Sequence, residues 1–206
     1  PRLTSIRNGV SQSVREQYEE NPYPRWIKTG LSGKGQAIGA SLQRAPLCFD
    51  LGDYDSPASP EILVAGCGSG QQAIAMASRF SNARVLAMDL SLSSLSYAVR
   101  QTDELGFENI EYVQGDIMEL ESLDRRFDMI GCSGVLHHLG DPLAGWRILV
   151  DLLQPGGIMN IGLYSETARR HSVRGRALIA EQGYTTSPEE IRRCRQEIIA
   201  KVEGGD

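Results

Sequence analysis

The chain reads as an α/β protein: a Rossmann-like, doubly wound parallel sheet with strands in the order 3-2-1-4-5. Three observations predict this. Short apolar runs of strand length alternate with segments of helical periodicity, the pattern that puts parallel strands beneath covering helices. The first run, Ile62 to Ala65, feeds directly into Gly66-Cys67-Gly68-Ser69-Gly70 and then a helix-compatible segment from Gln71 to Phe80. The second, Arg84 to Met88, ends in the carboxylate Asp89. In such sheets ligands sit at the carboxyl ends of the strands, where these glycines and acids collect.

Taken in order, Pro1 to Asn8 carries no periodic signal and is expected to fray. Ser11 to Glu20 suits a short helix closed by Asn21-Pro22, because a residue before proline avoids the α region. Lys28 to Ser41 reads as loop, and its Gly33-Lys34-Gly35 lacks the G-x-x-x-x-G-K-[ST] spacing of a P-loop. Ala45 to Leu51 suits helix or loop, and Asp53 to Pro60 is a polar connector. At the glycine turn, residues without Cβ permit a tight bend and close backbone approach, and amides at a helix start favour an anionic group. The spacing is G-x-G-x-G. The dinucleotide fingerprint needs its third glycine where Gln71 stands, so that pattern is broken.

After Asp89, Ser91 is a good N-cap for a helix with Leu92, Leu95, Val99 and Leu105 on or near one face. The third strand, Ile110 to Gln114, ends in Gly115-Asp116-Ile117. The fourth, Phe127 to Cys132, ends in Ser133-Gly134-Val135-Leu136-His137-His138. Asp141-Pro142 starts a helix with Leu143, Trp146, Val150 and Leu153 at helical spacing. The turn Gln154-Pro155-Gly156-Gly157 leads to a fifth strand, Ile158 to Tyr164. Beyond it the chain is helical and charged, with a break near Gly183-Tyr184 and a new start at Ser187-Pro188. Three segments result: an N-terminal helical and loop lid over residues 1–57, a core over 58–165 and C-terminal helices over 166–206.

Composition narrows the class. A chain of 206 residues, 41% hydrophobic and 23% charged, is ordinary for one globular α/β domain. A net charge of −5 argues against a general nucleic-acid binder. No apolar run approaches the ~20 residues that cross a bilayer, and no signal peptide opens the chain, so no membrane association is expected. Cys48, Cys67, Cys132 and Cys194 include no C-x-x-C pair; a reducing, cytoplasmic setting is expected.

At this point the residues resemble a family. Val64-Ala65-Gly66-Cys67-Gly68-Ser69-Gly70, Asp89, Gly115-Asp116-Ile117, Val135-Leu136-His137-His138-Leu139 and Leu153-Gln154-Pro155-Gly156-Gly157 are similar, in order and spacing, to the motifs of class I S-adenosylmethionine (SAM)-dependent methyltransferases. The run Gln17-Tyr18-Glu19-Glu20-Asn21-Pro22-Tyr23-Pro24-Arg25-Trp26, with Leu163-Tyr164-Ser165-Glu166, resembles bacterial methyltransferase domains joined to tetratricopeptide repeats. The resemblance implies SAM as cofactor, S-adenosylhomocysteine as product, methyl transfer to an unidentified acceptor, and a repeat region in the full-length protein. It implies that glycine-loop amides face the methionine end of SAM and that carbonyls near Ala65 and Gly66 accept from its amino group. Asp89 would take the ribose hydroxyls and Asp116 the adenine amine, with Ile117 on the ring. Cys67, Gly68, Gly70, Leu90, Ser133, Tyr18 and Arg25 complete the expected cofactor set. Family sheets usually carry two further strands. None is legible after Tyr164, so the chain is expected to be a fragment or to have a truncated sheet.

The remaining candidates have competing readings. His137 and His138 are adjacent, which suits a chelate poorly, so no metal site is expected; a structural role competes with general-base use near neutrality. Tyr18, Tyr23 and Trp26 suit core packing or a lid, with Arg25 near a carboxylate of SAM or substrate. Arg169, Arg170, Arg174 and Arg176 with His171 suit a solvated helix face ahead of an acidic-substrate patch. The fifth strand, as an edge, is expected to be covered by the Arg169–Ala200 helices or paired with a second chain as a homodimer. Two rival functions stand beside methyl transfer: a nicotinamide-dependent oxidoreductase, which Gln71 and the Asp116 motif disfavour, and a non-catalytic SAM-binding or interaction module of a larger protein.

Overall fold

The computed structural model describes residues 1–31, 33–44, 50, 52 and 54–203. Most of the Ala45 to Leu51 segment, Cys48 within it, and Asp53 at the start of the connector lie outside the described residues. Five strands form one parallel sheet: β1 Glu61–Ala65, β2 Arg84–Asp89, β3 Ile110–Gln114, β4 Phe127–Ser133 and β5 Leu153–Gly162. Their order is β3-β2-β1-β4-β5, as the sequence predicts. Seven α-helices accompany them: α1 Gly9–Glu20, α2 Ile38–Gln43, α3 Gln71–Arg79, α4 Leu92–Glu104, α5 Pro142–Asp151, α6 Arg170–Gln182 and α7 Pro188–Glu203. Two short 3-10 turns, Ile117–Ser122 and Leu136–His138, follow β3 and β4. No helix among the described residues is long and apolar enough to cross a membrane.

Alternation along the strands produces the two layers. Ile62 and Val64 pack with Ala73 and Ala77 of α3 and Ala98 of α4 on one face. Leu63 and Ala65 pack with Ile130 of β4 and with Ile148 and Leu149 of α5 on the other. Successive side chains point to opposite faces, so a run apolar at every position is buried on both sides.

The helix faces differ from the sequence reading. On α4 the buried stripe is Ser94, Leu95, Ala98 and Thr102, while Leu92, Val99 and Leu105 are exposed. Close approach selects small side chains here: Ala98 fills the space above Gly70, and the Thr102 hydroxyl is 2.9 Å from the Tyr112 hydroxyl. On α5 the buried residues are Gly145, Ile148 and Leu149, and Leu143 and Val150 are exposed. Gly145 sits against Leu139, Ile117 and Leu136, where any larger residue would collide. The caps are as read: Ser91 Oγ accepts from the Ser94 amide at 3.0 Å, and Asp141 Oδ1 accepts from the Leu143 and Ala144 amides at 3.0 Å each.

Four boundaries also move. Residues 1–4 are docked along β3 rather than frayed. The Leu3 amide donates to Gln114 O at 2.7 Å and the Gln114 amide to Pro1 O at 2.9 Å, backbone bonds that no side-chain pattern announces. Asn8 caps α1 through the Val10 and Ser11 amides, so that helix starts before Ser11. The loop read over Lys28 to Ser41 ends in α2, whose Ile38 is fully buried. β5 starts at Leu153 and contains the residues read as a turn: Phe127 pairs with Leu153 and Met129 with Ile158, so residues 154–157 bulge from the ladder. β5 ends at Gly162, and no strand follows it among the described residues.

The chain divides into two compact units, Pro1–Leu163 and Tyr164–Asp206. In the second, α6 ends at Gly183 in the left-handed region, where the Tyr184 amide reaches Ile179 O at 3.2 Å. Ser187 Oγ accepts from the Glu190 amide at 3.3 Å to start α7. Arg193 lies over the Tyr184 ring and pairs with Glu190. Arg170, His171, Arg174 and Arg176 are exposed, as a solvated face requires.

Gly70 and Gly106 make a paired test of the tight α3–α4 approach. Both have positive φ, but a Cβ on Gly70 would lie 2.6 Å from Ala98 Cβ and 2.8 Å from the Tyr112 hydroxyl, whereas Gly106 faces open space. Gly70→Ala is expected to cost about 2–4 kcal/mol and Gly106→Ala about 1 kcal/mol, read by urea denaturation. Equal losses would show that the loop has room.

Candidate active site

β1 delivers the chain into a loop that only glycine tolerates at three positions. Gly66, Gly68 and Gly70 have φ of 75°, 53° and 89°, values costly for any residue with Cβ. The amides of this loop already have protein partners. Gly66 and Cys67 both donate to Met88 O at 2.9 Å, Ser69 to Tyr23 O at 3.2 Å and Gly70 to Cys67 O at 3.0 Å. The Gly68 amide donates to Asp89 Oδ2 at 2.8 Å. The loop amides expected to face a ligand are thus engaged within the protein in this structure. This end of the sheet offers acceptors instead: the Gly66 carbonyl, next to Ala65, receives no hydrogen bond from the described residues.

Asp89 organises the loop. Its Oδ1 accepts from the Ser91 amide at 2.9 Å while Oδ2 holds Gly68. Burial pushes its pKa above the usual carboxylate range, bonds from Ser91, Gly68 and Leu90 oppose this, and the charge of Glu19 adds to the rise. Each oxygen retains a second lone pair. The Leu90 carbonyl accepts from Gln114 Nε2 at 2.9 Å. Burial, then the Asp89 charge, push the Cys67 thiol well above its ordinary range, so it is a packed thiol and no nucleophile.

Asp116 is 1% exposed. Its amide donates to Thr4 Oγ1 at 2.8 Å and its Oδ1 caps the following turn through the Met118 amide at 3.0 Å. Its Oδ2 is buried without a hydrogen-bond partner among the described residues. A buried carboxylate oxygen left so is costly and calls for a donor. Ile117 lies buried beside it.

At the end of β4, Ser133 is exposed and Val135 packs over Gly66, where a Cβ would overlap it. Next in the chain are His137 and His138, with ring centroids 4.3 Å apart. His138 Nε2 is 3.3 Å from the Tyr18 hydroxyl, and burial pushes its pKa below the usual value. No group of three metal-ligating side chains occurs among the described residues.

The segment after α1 straps the glycine loop. Ser69 Oγ donates to Pro24 O, Trp26 Nε1 donates to Ser69 O at 3.1 Å, and the Tyr97 hydroxyl donates to Trp26 O. Trp26 is buried, as core packing requires, while Tyr23 is exposed and Tyr18 is half-buried. Arg25 is exposed and makes no hydrogen bond or ion pair among the described residues. Sequence reasoning gave no role to Glu19, Thr4 or Val135. Glu19 accepts from the Leu92 and Ser93 amides at 2.7 and 2.9 Å and from Ser93 Oγ. Burial works to raise its pKa, but the bonds from Ser93 and Leu92 hold it low. Its one signal was its place inside the run 17–26. A separate pocket of about 310 Å³, lined by Tyr54, Asp55 and Asp128 among others, lies at the amino ends of the strands, away from these groups.

Known proteins were compared with this geometry. Residues 62–157 match the family model described as a methyltransferase domain. Over 168 residues the chain is 38% identical to an uncharacterized protein of Synechococcus sp., covering 81% of this chain and 40% of that one. Over 164 residues it is 26% identical to the ubiquinone biosynthesis O-methyltransferase of Rickettsia felis, covering 80% and 66% respectively. PKMT2 from Rickettsia typhi, solved in complex with AdoHcy, shares the fold with a TM-score of 0.57 at 20% identity, over 71% of this chain and 29% of that one. The chain thus spans less than half the length of the Synechococcus relative.

The strap gives a direct test. A Cβ on Gly68 would overlap the Tyr23 carbonyl, so Gly68→Ala is expected to lift the strap while the sheet stays folded. In a Trp146→Phe background, Trp26 emission should shift red and quench more readily with acrylamide. An unchanged spectrum would show that the strap does not depend on Gly68.

Proposed function

We propose that the chain is a class I SAM-dependent methyltransferase that transfers the methyl group of SAM to a nucleophilic acceptor, a reading supported by the match of residues 62–157 to a methyltransferase domain. The orphaned, buried Oδ2 of Asp116 carries the assignment of the site, because it demands an N–H donor where the resemblance puts the adenine amine. Asp89 accepts the ribose hydroxyls with the lone pairs that Gly68 and Ser91 leave. Leu90 and Ile117 flank the adenine ring. The carbonyls of Ala65 and Gly66 accept from the methionine amino group, and Cys67, Gly68 and Gly70 shape the floor. Tyr18, Arg25 and Ser133 stand at the mouth.

Bound there, SAM supplies an electrophilic methyl group on a sulfonium whose departure as a neutral thioether needs no acid. The residues of the chain contribute alignment and exclusion of water. The strap and α1 do this by closing over the carboxyl ends of β1 and β2. The acceptor is left open by this set of residues. A partner region of tetratricopeptide repeats, a homodimer through the β5 edge and a cytoplasmic setting belong to the same reading. They rest on the run 17–26, on the place of β5 at the end of the strand order, and on the free Cys67, Cys132 and Cys194.

Calorimetry with SAM tests the proposal. Asp89→Ala is expected to weaken binding by about 1.5–3 kcal/mol, the scale of hydrogen bonds to a charged group. The raised pKa of Asp89 sets a pH dependence. Its acceptor form is lost on acidification earlier than for an ordinary aspartate, so SAM affinity should fall from a higher pH onward. The same shift acts oppositely on the free protein: the fold favours the protonated carboxyl, and that stabilisation is lost as pH rises through the folded-state pKa. Affinity that is flat in pH, or unchanged in Asp89→Ala, would remove the ribose assignment. Asp116→Asn, which puts an amide donor toward the adenine amine, should weaken S-adenosylhomocysteine binding by a similar amount; full affinity in a folded Asp116→Asn protein would remove the adenine assignment.

A further inference from the structure

α1 meets the two sides of the cleft at once. On the β2 side, Tyr18 O accepts from Ser91 Oγ at 3.0 Å, two residues beyond Asp89. On the β4 side, the Tyr18 hydroxyl reaches His138 Nε2 at 3.3 Å, with the rings edge to face at 6.0 Å. His138 belongs to the turn that Val135 anchors over Gly66. The strand order reverses between β2-β1 and β4-β5, and ligands of open α/β sheets sit at that switch point. The Tyr18–His138 pair therefore spans the cleft where a methyl acceptor would enter.

We propose that His138 is the catalytic base, that Tyr18 positions it, and that the acceptor is a hydroxyl of phenolic acidity. This rests on the methyl-transfer reading of the site. With Nε2–H donating to the Tyr18 oxygen, the imidazole lone pair is on Nδ1. That nitrogen bonds to no described group and is not among the buried unpartnered atoms, so it is accessible to a small molecule. Nδ1 takes the hydroxyl proton as the acceptor oxygen forms its bond to the methyl carbon. The carbon–sulfur bond breaks, its electron pair stays on sulfur, and the imidazolium then releases the proton to solvent. The Tyr18 oxygen, as acceptor from Nε2–H, stabilises that imidazolium. A neutral imidazole suits a phenol, with its pKa of ~10, far better than an aliphatic alcohol. A carboxylate acceptor would need no such base.

The groups facing His138 are Tyr18 from α1 and His137 from its own turn; no ion pair involves His138 among the described residues. Its protonation is thus set by burial and by Tyr18, and the rate should rise with pH through its pKa.

The test uses the full chain, SAM carrying a radiolabelled methyl group, and a small-molecule extract of cell lysate. Label should pass to products that survive mild alkali, as aryl methyl ethers do and methyl esters do not. His138→Gln, which can keep a bond to Tyr18 but has no basic nitrogen, should lower the rate about 100-fold or more with SAM affinity by calorimetry unchanged, which also reports that the variant is folded. Tyr18→Phe should slow transfer and move the acid limb of the rate profile to lower pH, a shift that a merely structural role would not produce. Alkali-labile label, or full activity in His138→Gln, would overturn this inference and leave methyl transfer standing. SAM binding without any transfer would overturn it as well and favour a non-catalytic module. No SAM binding by the unaltered chain would remove the reading of the site, and this inference with it.

Discussion

The carboxylate of Asp89 is the constraint on which the site's geometry depends. It lies at the end of β2, yet it holds the loop that follows β1, through the Gly68 amide, and the start of α4, through Ser91. Two adjacent strand ends and one helix start are thereby fixed by a single side chain. Burying a charge is unfavourable, and the raised pKa of Asp89 records that cost. Backbone donors offset part of it. One of those donors, the Gly68 amide, comes from the loop in which Gly66, Gly68 and Gly70 hold left-handed conformations. The glycine loop and the carboxylate are joined through that one amide.

A second layer of constraint comes from the N-terminal segment. Glu19 and Tyr18 of α1 grip residues 91–93, the strap binds both the amide and the carbonyl of Ser69, and Thr4 meets the Asp116 amide. The acids proposed to hold the cofactor are thus backed by residues far away in the chain. Tyr18 touches both the residues that follow Asp89, through Ser91, and the His138 turn.

What was legible in the sequence follows from where the information lies. Strand order, the glycine turn and both acids could be read because parallel strands buried on both faces leave continuous apolar runs, and because positive φ leaves glycine. The helix faces were misread for the opposite reason. Ala98, Thr102 and Gly145 are buried because the helices approach closely, and a search for large apolar residues passes over small ones. The docking of residues 1–4, the bulge at 154–157 and the partners of the loop amides are backbone events, and side-chain identity carries little record of them. Glu19 illustrates the limit most clearly: as a carboxylate on an amphipathic helix it looks solvated, and only the tertiary position of α4 makes it a cap.

The division of labour in the site explains why the donor side is easier to read than the acceptor side. SAM presents fixed chemistry, two ribose hydroxyls and one adenine amine, so the receptors proposed for it are acids at set distances in sequence from a glycine turn. The acceptor side has no comparable fixed demand. The elements proposed to meet it are the mouth of β4, the Leu136–His138 turn and α1, whose side chains also serve packing. Among these, the Tyr18–His138 pair combines a titratable nitrogen with a hydrogen-bonding partner at the switch point of the sheet. The strap that fixes α1 is as much a part of the site as the strands beneath it.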